Sequence, residues 1–296
     1  MTKYTIERYK NITRIIDVQQ DELNLDKTLN CGQAFRWNKI DNITWCGVIR
    51  DKIVLLANIN FDDGISGIAT NLNIDDAQEL IDYLDLCINY NEEVSKLKYI
   101  DPFALKAYER GKGIHILRQD LLEIMVTFLM SQCNTMHNIR NIINNLCTKY
   151  GNKITTEWNG VIYTNYTFPT LEVLSTLNIE DFKACKMGFR AQYLYEMCKE
   201  LNDSTILETL QSYYNGTQKE YEIALNILKQ FKGISDKVAN CICLFGLHQI
   251  QAFPIDTHIK KLISQEYGNN FHPEYYENIA GIIQQYMYYY QAFKGR

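Results

Sequence analysis

Residues 221–247 read YEIALNILKQFKGISDKVANCICLFGL, and this stretch decides what the rest of the chain has to build. It predicts a helix, a tight hairpin containing Gly233, and a second helix that begins near Ser235 or Asp236. Gly233 suits the positive φ that ends a helix. The N–H groups that follow, those of Ile234, Ser235 and Val238, would then face outward at the start of the next helix. Such a cluster can hold a phosphate without any side-chain charge. The same pattern also fits an ordinary pair of packed helices in a bundle.

Lys237 falls in the first turn of the second helix, where the helix dipole favours anions over cations. That field favours the free amine over the ammonium, and a nucleophilic lysine needs the free amine. A solvated surface lysine is the plainer alternative. Nineteen residues on, FPIDTHIKKL places Asp256 after Pro254 and before a helix that begins at Thr257. As an N-cap, Asp256 would contribute about 1 kcal/mol. Beside an apolar wall it could also stabilise a cation or orient an amine. His258, two residues later, reads as a surface residue or a phosphate contact.

Working outward, the stretch AFRWNKIDNITWCGVIRDKIVLLANI, residues 34–59, sets aromatic and β-branched residues around two turn signals, Asp41-Asn42 and Arg50-Asp51-Lys52. This predicts three antiparallel strands in a meander. A helix is expected from about Asp75 to Cys87, with Leu80 and Leu84 on one face. After Pro102 the pattern reads as helical throughout. Leu117–Met130 is a nearly continuous apolar run, as in a helix buried on most sides. FPTLEVLSTL opens another helix, with Pro169 and Thr170 as start signals and Glu172 in the first turn. The fold class is therefore α+β. An antiparallel β-domain with a helix is expected over 1–100, and a mostly helical region carrying the helix-hairpin-helix over 101–296.

The 296 residues suffice for two cores at roughly 150 residues each. With 46% hydrophobic and 22% charged residues, composition excludes a disordered, collagen-like or coiled-coil chain. No apolar run reaches the ~18 residues that span a bilayer. MTKYTIERYK has no apolar signal-peptide core, so the chain is expected to stay where it is made. The nine cysteines form no CxxC. They read as reduced and mostly buried thiols, and their spacing excludes a four-cysteine cluster near the C-terminus. No metal and no cofactor are expected. The net charge of −5 (30 Lys+Arg against 35 Asp+Glu) counts against nonspecific wrapping of nucleic acid. It leaves room for a local cationic groove or for binding through backbone amides.

Together these segments carry a resemblance. CGQAFRW (31–37), ILRQD (116–120), FPTLEVL (168–174), MGFRAQYL (187–194) and KVANCICL…QAFPIDTHI (237–259) occur in the order and spacing of the 8-oxoguanine DNA glycosylase/AP lyase family. This is a branch of the helix-hairpin-helix DNA glycosylases. The resemblance implies a β-domain followed by two helical subdomains around a cleft, into which a damaged nucleotide is turned out of the stack. It implies that Lys237 attacks C1′ to give a Schiff base. Asp256 would stabilise the developing positive charge and help orient or deprotonate the lysine, and β-elimination would then cut the strand.

For the base pocket, the resemblance implies that the Gly32 carbonyl accepts N7–H of 8-oxoguanine. Gln284 would read the Watson–Crick edge, and Tyr288 and Cys241 would cover the two faces of the base. For the duplex, it implies Phe189 as a wedge and Arg190 as a contact to the estranged base. Gly233, Ser235, Val238 and His258 would serve as phosphate contacts, and Cys133 and Asn134 would lie on the opposite-strand loop. The chain departs from the family at Cys133, where Asn is usual, at Asn138, where Arg is usual, and at Ser235, where a second Gly is usual. The expected partner is double-stranded DNA containing 8-oxoguanine, bound by a monomer and not at a membrane. The compartment is the cytoplasm, at the nucleoid, in a prokaryote, which the Asn-, Ile- and Tyr-rich composition favours, and the nucleus in a eukaryote.

Two rival readings remain at this point. Relatives that act on other oxidised bases usually carry the missing four-cysteine cluster. A noncatalytic helix-hairpin-helix binder would not require Lys237, Asp256 and CGQAFRW together. Nicking of a lesion-bearing duplex separates enzyme from binder.

Overall fold

The computed structural model describes residues 4–18, 21–95 and 101–294. The division expected near residue 100 lies outside the described residues. Six strands, β1 (Thr5–Tyr9), β2 (Ile12–Ile16), β3 (Asn38–Lys39), β4 (Thr44–Ile49), β5 (Lys52–Asn60) and β6 (Ser66–Thr70), form one antiparallel sheet in the order β1-β2-β6-β5-β4-β3. The meander expected over 34–59 is β3–β5. Helices α1 (Leu25–Thr28) and α2 (Ile74–Tyr83) pack with the sheet, whereas α3 (Tyr90–Ser95) buries Tyr90 and Val94 in the helical core. The helical region comprises α4 (Pro102–Gly111), α5 (Leu121–Leu129), α6 (Met136–Tyr150), α7 (Leu171–Thr176), α8 (Ile179–Ala184), α9 (Arg190–Asn202), α10 (Ile206–Ser212), α11 (Gln218–Leu228), α12 (Asp236–Gly246), α13 (Thr257–Glu266) and α14 (Ala280–Ala292).

Three sequence expectations need correction. The helix expected over 75–87 ends at Tyr83, because Asp85 adopts φ +53° and turns its carboxylate into the protein. The helix expected over 117–130 begins only at Leu121, where the Asp120 side chain accepts from the Glu123 N–H. Residues before it instead bond across the molecule: Leu117 N–H donates to Gln33 Oε1 and Arg118 N–H to the Tyr83 carbonyl. Finally, the region after Pro102 is not helical throughout. Strands β7 (Lys153–Trp158) and β8 (Val161–Tyr166) form a hairpin around Asn159-Gly160, at φ +51° and +76°. Consecutive positive φ values are what a tight hairpin turn needs, and Asn-Gly supplies them at low cost.

That hairpin accounts for the unbroken apolar run of β5. Period-two alternation sends Val54 and Leu56 to the main sheet core, with Ile15, Trp37 and Ile68. Ile53 and Leu55 face the other side, against Ile154, Trp158 and Tyr163 of the hairpin. A strand covered on both faces reads as a continuous apolar run rather than an alternating one.

The helical core is continuous with residues of the N-terminal segment: Cys31 and Phe35 pack among the helices, while Leu117 packs under the sheet. α12 carries buried residues at eight of its eleven positions and lies close against α5. A Cβ on Gly246 would stand 3.1 Å from side chains of Leu121 and Ile124, and Phe128 stacks on Phe245 with centroids 5.3 Å apart. This packing sets the start of α12 beside the end of α5, and the candidate site occupies that junction.

Candidate active site

Gly233 has φ +88°, and a Cβ there would meet Tyr193 at 2.5 Å, so only glycine fits. Ser235 caps α12 and accepts from the Val238 N–H at 3.4 Å, while the Ile234 N–H donates to the Phe231 carbonyl at 3.1 Å. This corrects the expectation of three outward amides. The N-cap hydroxyl and the preceding turn occupy two of them, and only the Ser235 N–H makes no hydrogen bond among the described residues.

Lys237, one turn into α12, reaches back over the end of α5. Its Nζ donates to Ser131 Oγ at 3.1 Å and stands 5.4 Å from the centre of the Phe128 ring. Cys241 follows one turn later and is buried. Burial pushes its thiol up to about 11, opposed by the Lys237 charge and reinforced by Asp256, so all three groups converge. Asp256 caps α13 through Oδ1, which accepts from the Ile259 N–H at 2.8 Å. It makes no ion pair with Lys237 among the described residues. One oxygen of Asp256 thus faces its own helix, and the other is left for the cavity that Lys237 also lines.

The opposite wall comes from α14 and the 31–37 segment. Gln284 and Tyr288 lie one turn apart on α14. Gln284 Nε2 donates to the Pro254 carbonyl at 3.0 Å. Its Oε1 is buried without a hydrogen-bond partner among the described residues. Leaving an acceptor unsatisfied costs about 1–3 kcal/mol, so a persistent orphan in a cavity wall marks a place for a ligand donor. The Tyr288 ring meets His258 edge-on at 5.7 Å, and burial and the Asp256 charge push its hydroxyl well above the ordinary tyrosine range. Gly32 has φ +86°, and a Cβ there would come within 3.2 Å of the Tyr288 hydroxyl.

The 31–37 segment is fastened so that Gly32 is left open. Gln33 is fully buried and donates to the Thr28 and His115 carbonyls while accepting from Leu117 N–H. Gln285 Nε2 donates to the Cys31 carbonyl at 2.9 Å. Arg36 pairs with Glu123 at 3.1 Å. The Gly32 carbonyl accepts no hydrogen bond among the described residues.

These walls enclose a cavity of about 730 Å³. Gly32, Cys133, Asn134, Ser235, Lys237, Val238, Cys241, Asp256, His258, Gln284 and Tyr288 line it; Phe189, Arg190 and Gly233 do not. Phe189 is 58% exposed at the start of α9, as a wedge would be. Arg190 is turned inward. It is only 7% exposed, and its guanidinium donates to the carbonyls of Gln132 and Cys133 rather than outward. An arginine with its donors committed to carbonyls at the end of a buried stem is not free to read a base in this state.

The 131–134 rim is itself a set of side-chain caps on α5. Ser131, Gln132 and Asn134 donate to the carbonyls of Phe128, Leu129 and Met130. Cys133 is exposed at φ +45°. Sequence reasoning missed Ser131, Phe128, Phe245 and Gln285. Phe245 carried a signal, being eight residues after Lys237 on the same helical face. Gln285 and Ser131 act across long sequence separations and carried none. Among the described residues no three His, Cys, Asp or Glu side chains gather as a metal set, and no helix is long and apolar enough to cross a membrane.

Comparison with known proteins bears on the family and the fold. Residues 15–125 match the family model "8-oxoguanine DNA glycosylase, N-terminal domain", and residues 126–282 match "HhH-GPD superfamily base excision DNA repair protein". The N-glycosylase/DNA lyase of Saccharomyces cerevisiae is 26% identical over 279 residues, covering 84% of this chain and 70% of that protein. N-glycosylase/DNA lyase OGG1 of Arabidopsis thaliana is 30% identical over 248 residues, covering 80% and 64%. Among solved structures, the Clostridium acetobutylicum 8-oxoguanine glycosylase/lyase bound to double-stranded DNA with cytosine opposite 8-oxoG is 31% identical. It superposes with a TM-score of 0.85 over 100% of both chains.

Proposed function

Because the chain belongs to the 8-oxoguanine DNA glycosylase branch of the HhH-GPD superfamily of base excision DNA repair proteins, we propose that it excises 8-oxoguanine from duplex DNA and cuts the strand at the resulting site. The observation that carries this reading is the convergence of Lys237, Cys241 and Asp256 on one cavity whose far wall holds an unpaired Gln284 Oε1 and an open Gly32 carbonyl.

Phe189 enters the duplex, and the damaged nucleotide leaves the stack for the cavity. The Gly32 carbonyl accepts N7–H, which 8-oxoguanine has and guanine lacks. With guanine, two acceptors would face each other, a penalty of ~1–3 kcal/mol. Gln284 Oε1 takes a donor of the Watson–Crick edge, and the base lies between Cys241 and Tyr288.

The Lys237 amine attacks C1′ as the glycosidic C1′–N9 bond breaks, and the base leaves. The Asp256 carboxylate stabilises positive charge on the sugar. Opening of the sugar ring gives a Schiff base, loss of a C2′ proton expels the 3′ phosphate, and the strand is cut. The Ser235 amide and His258 lie on the cavity rim where they can contact the backbone. The protein acts as a monomer on chromosomal DNA, at the nucleoid in a prokaryote or in the nucleus of a eukaryote. The division of the chain near residue 100 remains part of this reading.

The test is borohydride trapping on a duplex with one 8-oxoguanine. The wild-type protein should form a covalent adduct and nick the strand, and Lys237→Gln should do neither while still binding the duplex. An adduct that persists in Lys237→Gln would move the nucleophile to another amine.

A further inference from the structure

We propose that Ser131 is a positioning residue for the Lys237 amine, presenting a hydroxyl that can only accept. The inference rests on the reading of Lys237 as nucleophile. It adds a residue at the far end of a 106-residue separation that the chemistry depends on.

A serine hydroxyl has one proton and two lone pairs. Here the proton is committed: Ser131 Oγ donates to the Phe128 carbonyl at 2.7 Å. What the hydroxyl turns toward Lys237 is therefore a lone pair, and Nζ donates to it at 3.1 Å. This polarity matters to a nucleophile. A hydroxyl that donated to the amine would occupy the nitrogen lone pair, the electrons that must form the bond to C1′. A hydroxyl that accepts an N–H holds the nitrogen in place and leaves that lone pair free for the cavity. The Phe128 ring face, 5.4 Å away, limits the amine from a second side. Asp256 is bonded to its own helix and makes no ion pair with Lys237 among the described residues, so Ser131, with the Cys241 thiol one turn along α12, fixes the amine before substrate arrives.

The fold does not need this hydroxyl. The Phe128 carbonyl also receives the Ser131 backbone N–H at 3.0 Å, so Ser131→Ala leaves no orphaned acceptor at the end of α5. Positioning and structural roles can therefore be separated.

The experiment compares wild type, Ser131→Ala and Ser131→Thr in single-turnover excision on an 8-oxoguanine duplex, with duplex affinity and melting temperature measured alongside. Ser131→Ala should lower the excision rate about tenfold or more and slow borohydride trapping in parallel. Its duplex affinity and melting temperature should stay at wild-type values. Ser131→Thr, which keeps the hydroxyl, should recover most of the rate. Ser131→Ala at the wild-type rate would overturn the assignment, as would a rate loss accompanied by weaker DNA binding or a lower melting temperature. A slow Ser131→Thr of wild-type stability would likewise count against it. Wild-type trapping comes first in the series: its absence removes the reading of Lys237 itself, whereas trapping with an unaffected Ser131→Ala removes only the role of Ser131.

Discussion

Asp85 is held by side chains from across the molecule and Asp256 by the start of its own helix, and their surroundings are opposite. Asp85 is fully buried and its valences are filled. Arg118 donates to Oδ1 at 2.8 Å, the Tyr90 hydroxyl to Oδ2 at 2.6 Å, and His248 Nε2 stands 3.2 Å away. Asp256 is half-buried on a cavity wall with one recorded side-chain bond, to its own helix. The first arrangement joins the α2–α3 turn to the segment before α5 and the end of α12. The second leaves a carboxylate able to interact with something that is not part of the protein. The Asp85 carboxylate has both oxygens bonded from within the chain, which specifies structure, whereas the Asp256 carboxylate keeps acceptor capacity on a cavity wall, which marks a site.

This contrast is most exposed to test at Asp85. Asp85→Asn removes one partner of a buried ion pair and should cost about 3–5 kcal/mol of stability in urea denaturation. The excision rate at a temperature where the variant is folded should change little. The same pair sets an acid limit. Burial pushes the Asp85 carboxyl up, but His248 and Arg118 outweigh burial and hold it below its ordinary value. A depressed carboxyl stabilises the fold at pH values above the unfolded pKa of about 3.9 and loses that contribution as pH falls through the lower folded value. The acid unfolding midpoint should therefore rise in Asp85→Asn relative to wild type, because the variant enters the acid range already weakened.

Asp256→Asn should give the reverse pattern. Asparagine still caps a helix, so stability should hold within about 1 kcal/mol. Excision should fall ~10²–10³-fold for loss of charge stabilisation, with some trapping left because the amine remains. If Asp256→Asn unfolds the protein while Asp85→Asn abolishes excision, the distinction between the two carboxylates is wrong.

A smaller effect is expected at Gln284. Gln284→Leu removes the orphaned acceptor but takes the donor from the buried Pro254 carbonyl, so the two effects oppose each other and stability should fall by no more than about 1–3 kcal/mol. Excision of 8-oxoguanine relative to 8-oxoadenine, whose Watson–Crick edge lacks the N1–H donor, should narrow by roughly ten- to a hundredfold, the value of a ~1–3 kcal/mol unsatisfied contact, while the 8-oxoguanine-to-guanine ratio, set at N7 by Gly32, should hold. A substrate competition assay reads both ratios directly.

The smallest effect concerns the opposite strand. Asn138 lacks the reach of the arginine usual there, and Arg190 is turned to the Gln132 and Cys133 carbonyls. Excision rates opposite the four bases should differ by no more than about tenfold, less than a bidentate contact of ~1–3 kcal/mol could give. A strong preference for cytosine would show that Arg190 releases those carbonyls on binding.

Most of the fold's local elements were legible from residue types. The β3–β5 meander follows from alternation and turn chemistry, and the α12 start follows from Ser235 and Gly233. The β7–β8 hairpin was legible in principle through Asn159-Gly160, but the apolar runs on either side of it drew the reading toward helix. The inward turn of Arg190 and the occupied hairpin amides were illegible for a common reason. A sequence names a donor but not whether another part of the chain has already claimed it.

The sequence by itself determined that Lys237 and Asp256 stand at the starts of two helices, because capping and glycine conformations act over three or four residues. Only the tertiary structure decided that the end of α5 lies beside Lys237, that Gln285 and Gln33 fix the Gly32 loop, and that Gln284 Oε1 is left unpaired. Those outcomes depend on which buried groups find partners across separations of 80 to 250 residues. Close packing of α5, α12 and α14 settles that pairing, and no local pattern encodes it.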